Sequence, residues 1–280
     1  MTAAISRRDQ LLGRLFELTR LETPLPCLCA RAIHSHKVKA FDATGPLIAL
    51  PLQGRKRALE AGKWISTDPG ELFLVPGARR VDMENIPDAQ SGEYVAVGIT
   101  ISENVLEAAR QIIPDHPHAP PGPMASVPLD DLVESLLTWC EAMHRGQFTL
   151  ACHAMLGVVL RLYEMGYQGL LTRPPERLAD RIRAMVAEQP AREWASGDLE
   201  DAVGMSGATL RRHLAAEGTT LRDIIANARL AHALQLLYST RLPVKSIAQR
   251  VGYASASSFT KRFTERYGVE PSRIGSLGSP

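Results

Sequence analysis

Apolar positions along this chain change their period twice. Ser6, with Asp9 three residues on and then Leu11, Leu12, Leu15 and Leu18, has the spacing of a capped amphipathic helix. Over residues 25–101 the pattern shortens to alternating runs. "LIALPL", "RKRALEAGKWIS", "DPGELFLVPG" and "EYVAVGITI" predict strands, with turns at Ala61–Gly62 and Asp68–Pro69–Gly70. Short strands at this spacing predict a small barrel or sandwich. Helical spacing returns near Leu129–His144, through Leu132, Leu136, Trp139 and Met143, and near Thr149–Tyr167, through Met155, Val159 and Leu162. "PDHPHAPPGP", between the strands and these helices, predicts loop.

"QGLLTRPPERL" carries Gly169, Pro174 and Pro175 between two helical stretches, and proline cannot continue a helix but can begin one. The reading is therefore an α+β chain. Residues 1–168 form a β-barrel domain with flanking helices, 169–175 a linker, and 176–276 an all-α domain.

Within the last segment one unit occurs twice. "DLEDAVGMSGATLRRHLAAEG" and "KSIAQRVGYASASSFTKRFTERYG" align Leu199 with Ile247, Val203 with Val251 and Gly204 with Gly252. Beyond the turn, Ser206 aligns with Ser255, Leu210 with Phe259 and Leu214 with Phe263. A short helix, a glycine turn and a second helix make a helix-turn-helix. Ser206 and Ser255 are placed to cap the second helices. The faces opposite the apolar pairs carry Ala208, Thr209, Arg211 and Arg212 in the first unit, and Ala256, Ser257, Thr260, Lys261 and Arg262 in the second. Arginine can read guanine, hydroxyls can meet any base, and alanine admits a thymine methyl, so these faces and the two capping serines suit the major groove. Between the units, Thr220 and Asp223 begin a helix that keeps its period through Leu221, Ile224, Ala228, Ala231 and Leu234. Such a helix of about nineteen residues spans roughly 28 Å. One DNA turn is about 34 Å, so it can present two readers to successive major grooves.

"VGMS", "RL..A..LL" (Arg229, Leu230, Ala233, Leu236, Leu237), "IAQRVGY", "SSFTKRF" and "YGVEPSR" together resemble the DNA-binding domain of the AraC/XylS family of bacterial transcription regulators. The resemblance covers about 100 residues, 176–276. It departs from the pattern at Glu200, where the family places a small residue against the turn; the second unit has Ala248 there. "LQGRKR" followed by "DPGELFLVPG" resembles the cupin-like N-terminal domain of one branch of these regulators. The resemblance implies double-stranded promoter DNA, RNA polymerase, a small-molecule effector and a second subunit as partners, with activation as the sign of control.

The cupin enzyme motif places Gly70, Pro76 and Asn85 at its spacings, but Ala78 replaces its second glycine and Val81 its metal-binding histidine. Valine cannot ligate a metal, and no G-x-S-x-G occurs. The chain thus reads as a binding protein rather than an enzyme, with no cofactor and no metal site. Two features keep other chemistry open. Cys27, Cys29, His34 and His36 offer metal-capable side chains, although on a single strand the cysteines and histidines would face opposite ways. Arg55 and Arg57 share a strand face and could meet an acidic ligand, or lie solvated.

Net charge is +2, but residues 176–275 hold 15 Lys and Arg against 11 Asp and Glu, a mild basic bias. Four cysteines in 280 residues give no disulfide framework, as in a reducing cytoplasm. The apolar run Ala151–Leu160 is too short to span a bilayer. The reading is a cytoplasmic, homodimeric, effector-controlled DNA-binding regulator. A cupin-type enzyme with a DNA-binding appendage, or a constitutive DNA-binding protein whose barrel only dimerises, are the alternatives.

Overall fold

The computed structural model describes residues 6–21, 25–114, 120–173, 175 and 177–274. The chain divides between Pro174 and Pro175 into two units. The first begins with α1 (Arg7–Leu18), whose N-cap Ser6 accepts a hydrogen bond from the Asp9 amide as its spacing predicts. Then come β1 (Leu28–Ala32), β2 (His36–Ala43), β3 (Leu47–Gln53), β4 (Arg55–Glu60), β5 (Lys63–Thr67), β6 (Glu71–Val75), β7 (Arg79–Ile86) and β8 (Tyr94–Thr100). The unit closes with α2 (Glu103–Ile112), β9 (Ala125–Pro128), α3 (Val133–His144) and α4 (Phe148–Glu164).

The strands form two antiparallel sheets, ordered β1-β8-β3-β6-β9 and β2-β7-β4-β5. The turn chemistry is that of the sequence. Ala61 and Gly62, at φ 47° and 80°, make the two-residue hairpin between β4 and β5. Gly70, at φ 90°, follows Pro69 in the turn that the Glu71 amide closes onto the Asp68 carbonyl at 3.1 Å.

Alternation sorts the side chains of the five-stranded sheet. Ile48, Leu50, Leu72, Leu74, Val97 and Ile99 join the core formed with α1, α2, α3 and α4. Ala49, Phe73 and Ala96, one position out of phase, turn to the other sheet. That second sheet sends Val38, Lys56, Ala58, Val81, Met83 and Asn85 inward, all buried.

One expectation changes here, and two alternatives that the sequence leaves open are located. The linker read over 169–175 starts too early: Gln168–Leu171 form a 3-10 turn, and Leu170 and Leu171 lie fully buried in the first unit's core. Cys27, Cys29, His34 and His36 do not share a strand. Cys29 lies on β1 and His36 on β2, in different sheets, and among the described residues no three such side chains could hold a metal ion together. Arg55 and Arg57 lie on the outer face, Arg55 paired with Asp68 at 2.6 Å and Arg57 with Glu84 at 3.3 Å and stacked over Trp64. The cation that points inward is Lys56, between them. The loop read over 114–123 lies partly outside the described residues. No described helix is long and apolar enough to cross a membrane.

Burial holds the Lys56 amine down to about 8 from its ordinary 10.5. The unfolded chain keeps that proton up to its ordinary value, so the cost is fully present below pH 8 and disappears as pH rises toward 10.5. The gap corresponds to roughly 3 kcal/mol. Lys56→Met should therefore raise the melting temperature of the N-terminal unit at pH 7, and the wild-type-minus-variant stability difference should shrink between pH 8 and 10.5. Calorimetry across that range checks this; a variant less stable than wild type at pH 7 contradicts it.

Candidate nucleic-acid interface

The second unit comprises α5 (Leu178–Glu188), α6 (Ser196–Val203), α7 (Gly207–Ala216), α8 (Leu221–Ser239), α9 (Val244–Arg250) and α10 (Ala256–Tyr267). Both helix-turn-helix units are present, as α6–α7 and α9–α10. Each turn passes through a left-handed glycine, Gly204 at φ 70° and Gly252 at 81°. Ser206 and Ser255 are the N-caps of α7 and α10, accepting from the Thr209 amide at 3.4 Å and the Ser258 amide at 3.2 Å. Leu210 and Leu214 are buried with Leu199 and with Ile182 and Val186 of α5. In the second unit Tyr253, Phe259, Phe263 and Tyr267 stack as a run of ring contacts, with centroids 4.8–5.5 Å apart.

These caps and cores leave the opposite faces to solvent. Ala208, Arg211 and Arg212 are exposed and Thr209 half-buried on α7, where the Ser206 hydroxyl also donates to Thr209 Oγ1 at 3.1 Å. On α10 Ser257, Lys261 and Arg262 are exposed, with Ala256 and Thr260 half-buried. Ala256, Ser257, Thr260 and Lys261 line one open groove along α10, which Glu265 and Glu270 close with negative charge at the far end. Arg262 lies elsewhere. It lines a cleft of about 500 Å³ with Trp194, Tyr253 and, on α8, Arg222, Ile225 and Arg229. Burial pushes the Tyr253 hydroxyl's pKa up, against the opposing pull of Arg262 and Arg229. Adjacent residues Lys261 and Arg262 thus serve two different surfaces.

The spacing of α7 and α10 rests on α8, capped by Thr220, which accepts from the Asp223 amide at 3.2 Å. Ile224 and Ala228 belong to the core of the first unit. Leu234 and Leu237, further along, are buried toward the end that α9 packs against. At the middle, Arg229 donates from Nε to the Pro190 carbonyl at 2.9 Å, from Nη2 to that of Arg192 at 2.9 Å, and from Nη1 to that of Gly252 at 3.1 Å. One guanidinium therefore joins the loop ahead of α6 to the turn of the second unit. A Cβ on Gly252 would stand 2.9 Å from the Arg229 guanidinium carbon. A second tie was not legible in the sequence: the Glu217 carboxylate, just past α7, accepts from the Leu178 and Ala179 amides at 2.8 and 3.0 Å and so caps α5.

Glu200 is also accounted for. Its carboxylate accepts from the Ser196 hydroxyl at 2.6 Å and lies against Gly207, the first residue of α7. A Cβ there would contact Glu200 Oε1. The first unit has a large acidic residue and a glycine at the positions where the second has Ala248 and Ala256, and a carboxylate beside a helix N-terminus is favourable.

Residues 199–275 match the family described as a helix-turn-helix domain. Over 96 residues the chain is 30% identical to the HTH-type transcriptional activator CfaD of Escherichia coli, covering 34% of this chain and 36% of that one. Over 109 residues it is 33% identical to the HTH-type transcriptional regulator YdeO of E. coli K12, covering 39% and 43%. The chain thus spans less than half the length of these curated relatives. In fold it is similar to the crystal structure of unsaturated fatty acid bound wild-type ToxT of Vibrio cholerae, with a TM-score of 0.60 and 14% identity over 89% of this chain and 93% of that chain.

The Glu200–Gly207 pair predicts a non-additive cycle. Gly207→Ala alone should destabilise the C-terminal unit by up to about 1 kcal/mol, because its methyl displaces the flexible end of the Glu200 side chain. Glu200→Ala with Gly207→Ala should recover that loss, and denaturant unfolding of the four proteins measures the coupling. Additive effects would show that the two residues do not share the space.

Proposed function

We propose that this chain, whose C-terminal region is an AraC-type helix-turn-helix domain, is a sequence-specific transcription regulator whose DNA affinity is set by a small molecule in its N-terminal domain. The observation that carries the reading is the repeated unit: two capped helices with small and basic outer faces, held to one connecting helix through a shared guanidinium. In this reading α7 and α10 enter successive major grooves. Arg211, Arg212, Thr209 and Ala208 meet bases or phosphates in one, and Ser257, Thr260 and Lys261 in the other, with Ser206, Ser255 and Ala256 close to the backbone. Arg262, in its cleft with Arg222, takes a phosphate.

Relatives named as transcriptional activators favour activation, with RNA polymerase as a further partner. The exposed Phe148 and Leu150 on α4 support pairing of two copies, and the chain acts in the cytoplasm by binding rather than by turnover. An effector shifts the equilibrium between states only as far as it binds them differently. The small inward residues of the five-stranded sheet favour a binding role for the N-terminal domain over a purely dimerising one.

Selection of duplexes from a random pool with the full chain should enrich a site containing two base-specific blocks about one helical turn apart. Arg211→Ala should erase preference at one position in one block, at a cost of about 1–3 kcal/mol. Arg262→Ala should leave preferences unchanged and lower the slope of log affinity against log salt by about one. Failure to enrich any sequence would refute the proposal; equal loss on all sequences for Arg211→Ala would make that residue a phosphate contact.

A further inference from the structure

One short stretch of chain ties both sheets of the N-terminal unit to the place where the linker departs. Residues 120–122 lead into β9, at the edge of the five-stranded sheet. They are held from the other sheet. Arg79 of β7 donates from Nη2 to the Gly122 carbonyl at 2.7 Å and to that of Pro121 at 3.2 Å. Its Nη1 donates to Glu60 Oε1 of β4 at 3.3 Å. On its other side the stretch lies against Gly169. A Cβ there would stand 2.6 Å from the Gly122 nitrogen and 2.8 Å from the Pro120 carbonyl oxygen, and one on Gly77 would stand 2.7 Å from Pro121 Cβ. Neither glycine has a positive φ, so each serves the close approach and not an unusual backbone conformation.

Just past Gly169 the chain is held again. Arg110 of α2, 3% exposed, donates from Nε to the Leu171 carbonyl at 2.8 Å and pairs with Glu103 and Glu107. Glu107 also accepts from Arg173 at 2.7 Å, the last described residue of this unit. The contacts therefore run unbroken from β4 and β7, through 120–122 and the Gln168–Leu171 turn, to Arg173. Backbone packed on backbone has no side chain to yield, so it transmits a displacement rather than absorbing it. Both arginines are also incompletely bonded: Arg79 Nε and Arg110 Nη2 are buried without a hydrogen-bond partner among the described residues. A buried donor left unpaired costs free energy, which lowers the cost of giving this arrangement up.

We propose that residues 120–122 are a strap that couples the four-stranded sheet to the start of the linker. With Arg79 engaged, the strap packs on Gly169 and the chain stays fastened to α2 through Leu171 and Arg173. With Arg79 released, the Gln168–Leu171 turn loosens and the start of the linker comes free. This coupling rests on the reading of the unit as the sensor of a transcription regulator. It adds to that reading the residues through which a change in the sheet reaches the linker, a change that a bound molecule drives only by favouring one of the two states.

Hydrogen exchange of the full chain, read by mass spectrometry in wild type, Arg79→Ala and Gly169→Ala, tests it. Both variants should speed exchange over residues 168–173 about tenfold or more while α3 keeps its wild-type rates. The double variant should be no faster there than the faster single one, because both break the same connection. Affinity for the duplex selected above should change about threefold or more in both variants, in the same direction. Faster exchange confined to residues 120–128, unchanged exchange over 168–173, or faster exchange there with wild-type DNA affinity would each overturn the inference. Should Gly169→Ala fail to fold, Arg79→Lys stands in for it with the same outcomes, since it keeps the charge and loses the planar fork. Failure of the regulator reading is a separate result: no duplex is enriched, while exchange over 168–173 still reports on the strap.

Discussion

The three hydrogen bonds of Arg229 are the constraint on which the C-terminal unit depends. A guanidinium on the middle of α8 reaches the Pro190 and Arg192 carbonyls on one side and the Gly252 carbonyl on the other. The planar fork makes three directed bonds at once, which a lysine ammonium on its flexible stem does not reproduce in the same geometry. Gly252 is required twice over, for its left-handed φ and for the missing Cβ beside that guanidinium. Two units that each have their own small core thereby acquire a fixed placement on one helix. A protein reading two grooves gains affinity only where that placement matches the duplex.

The N-terminal unit follows a different rule, the period of two along a strand. Ile48 and Leu50 go to the helices and Ala49 goes inside; Arg55 and Arg57 go out to Asp68 and Glu84 and Lys56 goes inside. Val81, where the cupin enzyme motif has a histidine, lies on the same inward face, 2% exposed, with Met83 and Asn85. The interior is therefore mainly apolar and small, crossed by one polar row.

Most of the C-terminal unit was legible in the sequence because its determinants are local. A capping serine, a glycine and an apolar pair four residues apart specify each unit within a couple of dozen residues, and they occur twice. What was hidden depends on contacts between distant positions. Gly207 compensates Glu200 across a turn, Glu217 caps a helix 39 residues earlier, and Arg229 was visible as part of a recurring pattern without its three acceptors. Helix α2 keeps Val105, Leu106 and Ala109 at helical spacing on one face, but the burial of Arg110 beside them depends on its bonds to the distant Leu171 carbonyl and to Glu103. Strand parity puts Arg55 and Arg57 on one face and Lys56 on the other, but it does not show which face is inside.

If α8 and Arg229 fix the distance between the two readers, the protein must be intolerant of changed spacing in its site. The direct measurement is equilibrium binding to a selected duplex and to versions with about five or about ten base pairs inserted between the two base-specific blocks. The account predicts loss to non-specific affinity for both insertions, since a half turn rotates one groove away and a full turn exceeds the reach of a helix of roughly 28 Å. Undiminished affinity for either insertion would contradict it.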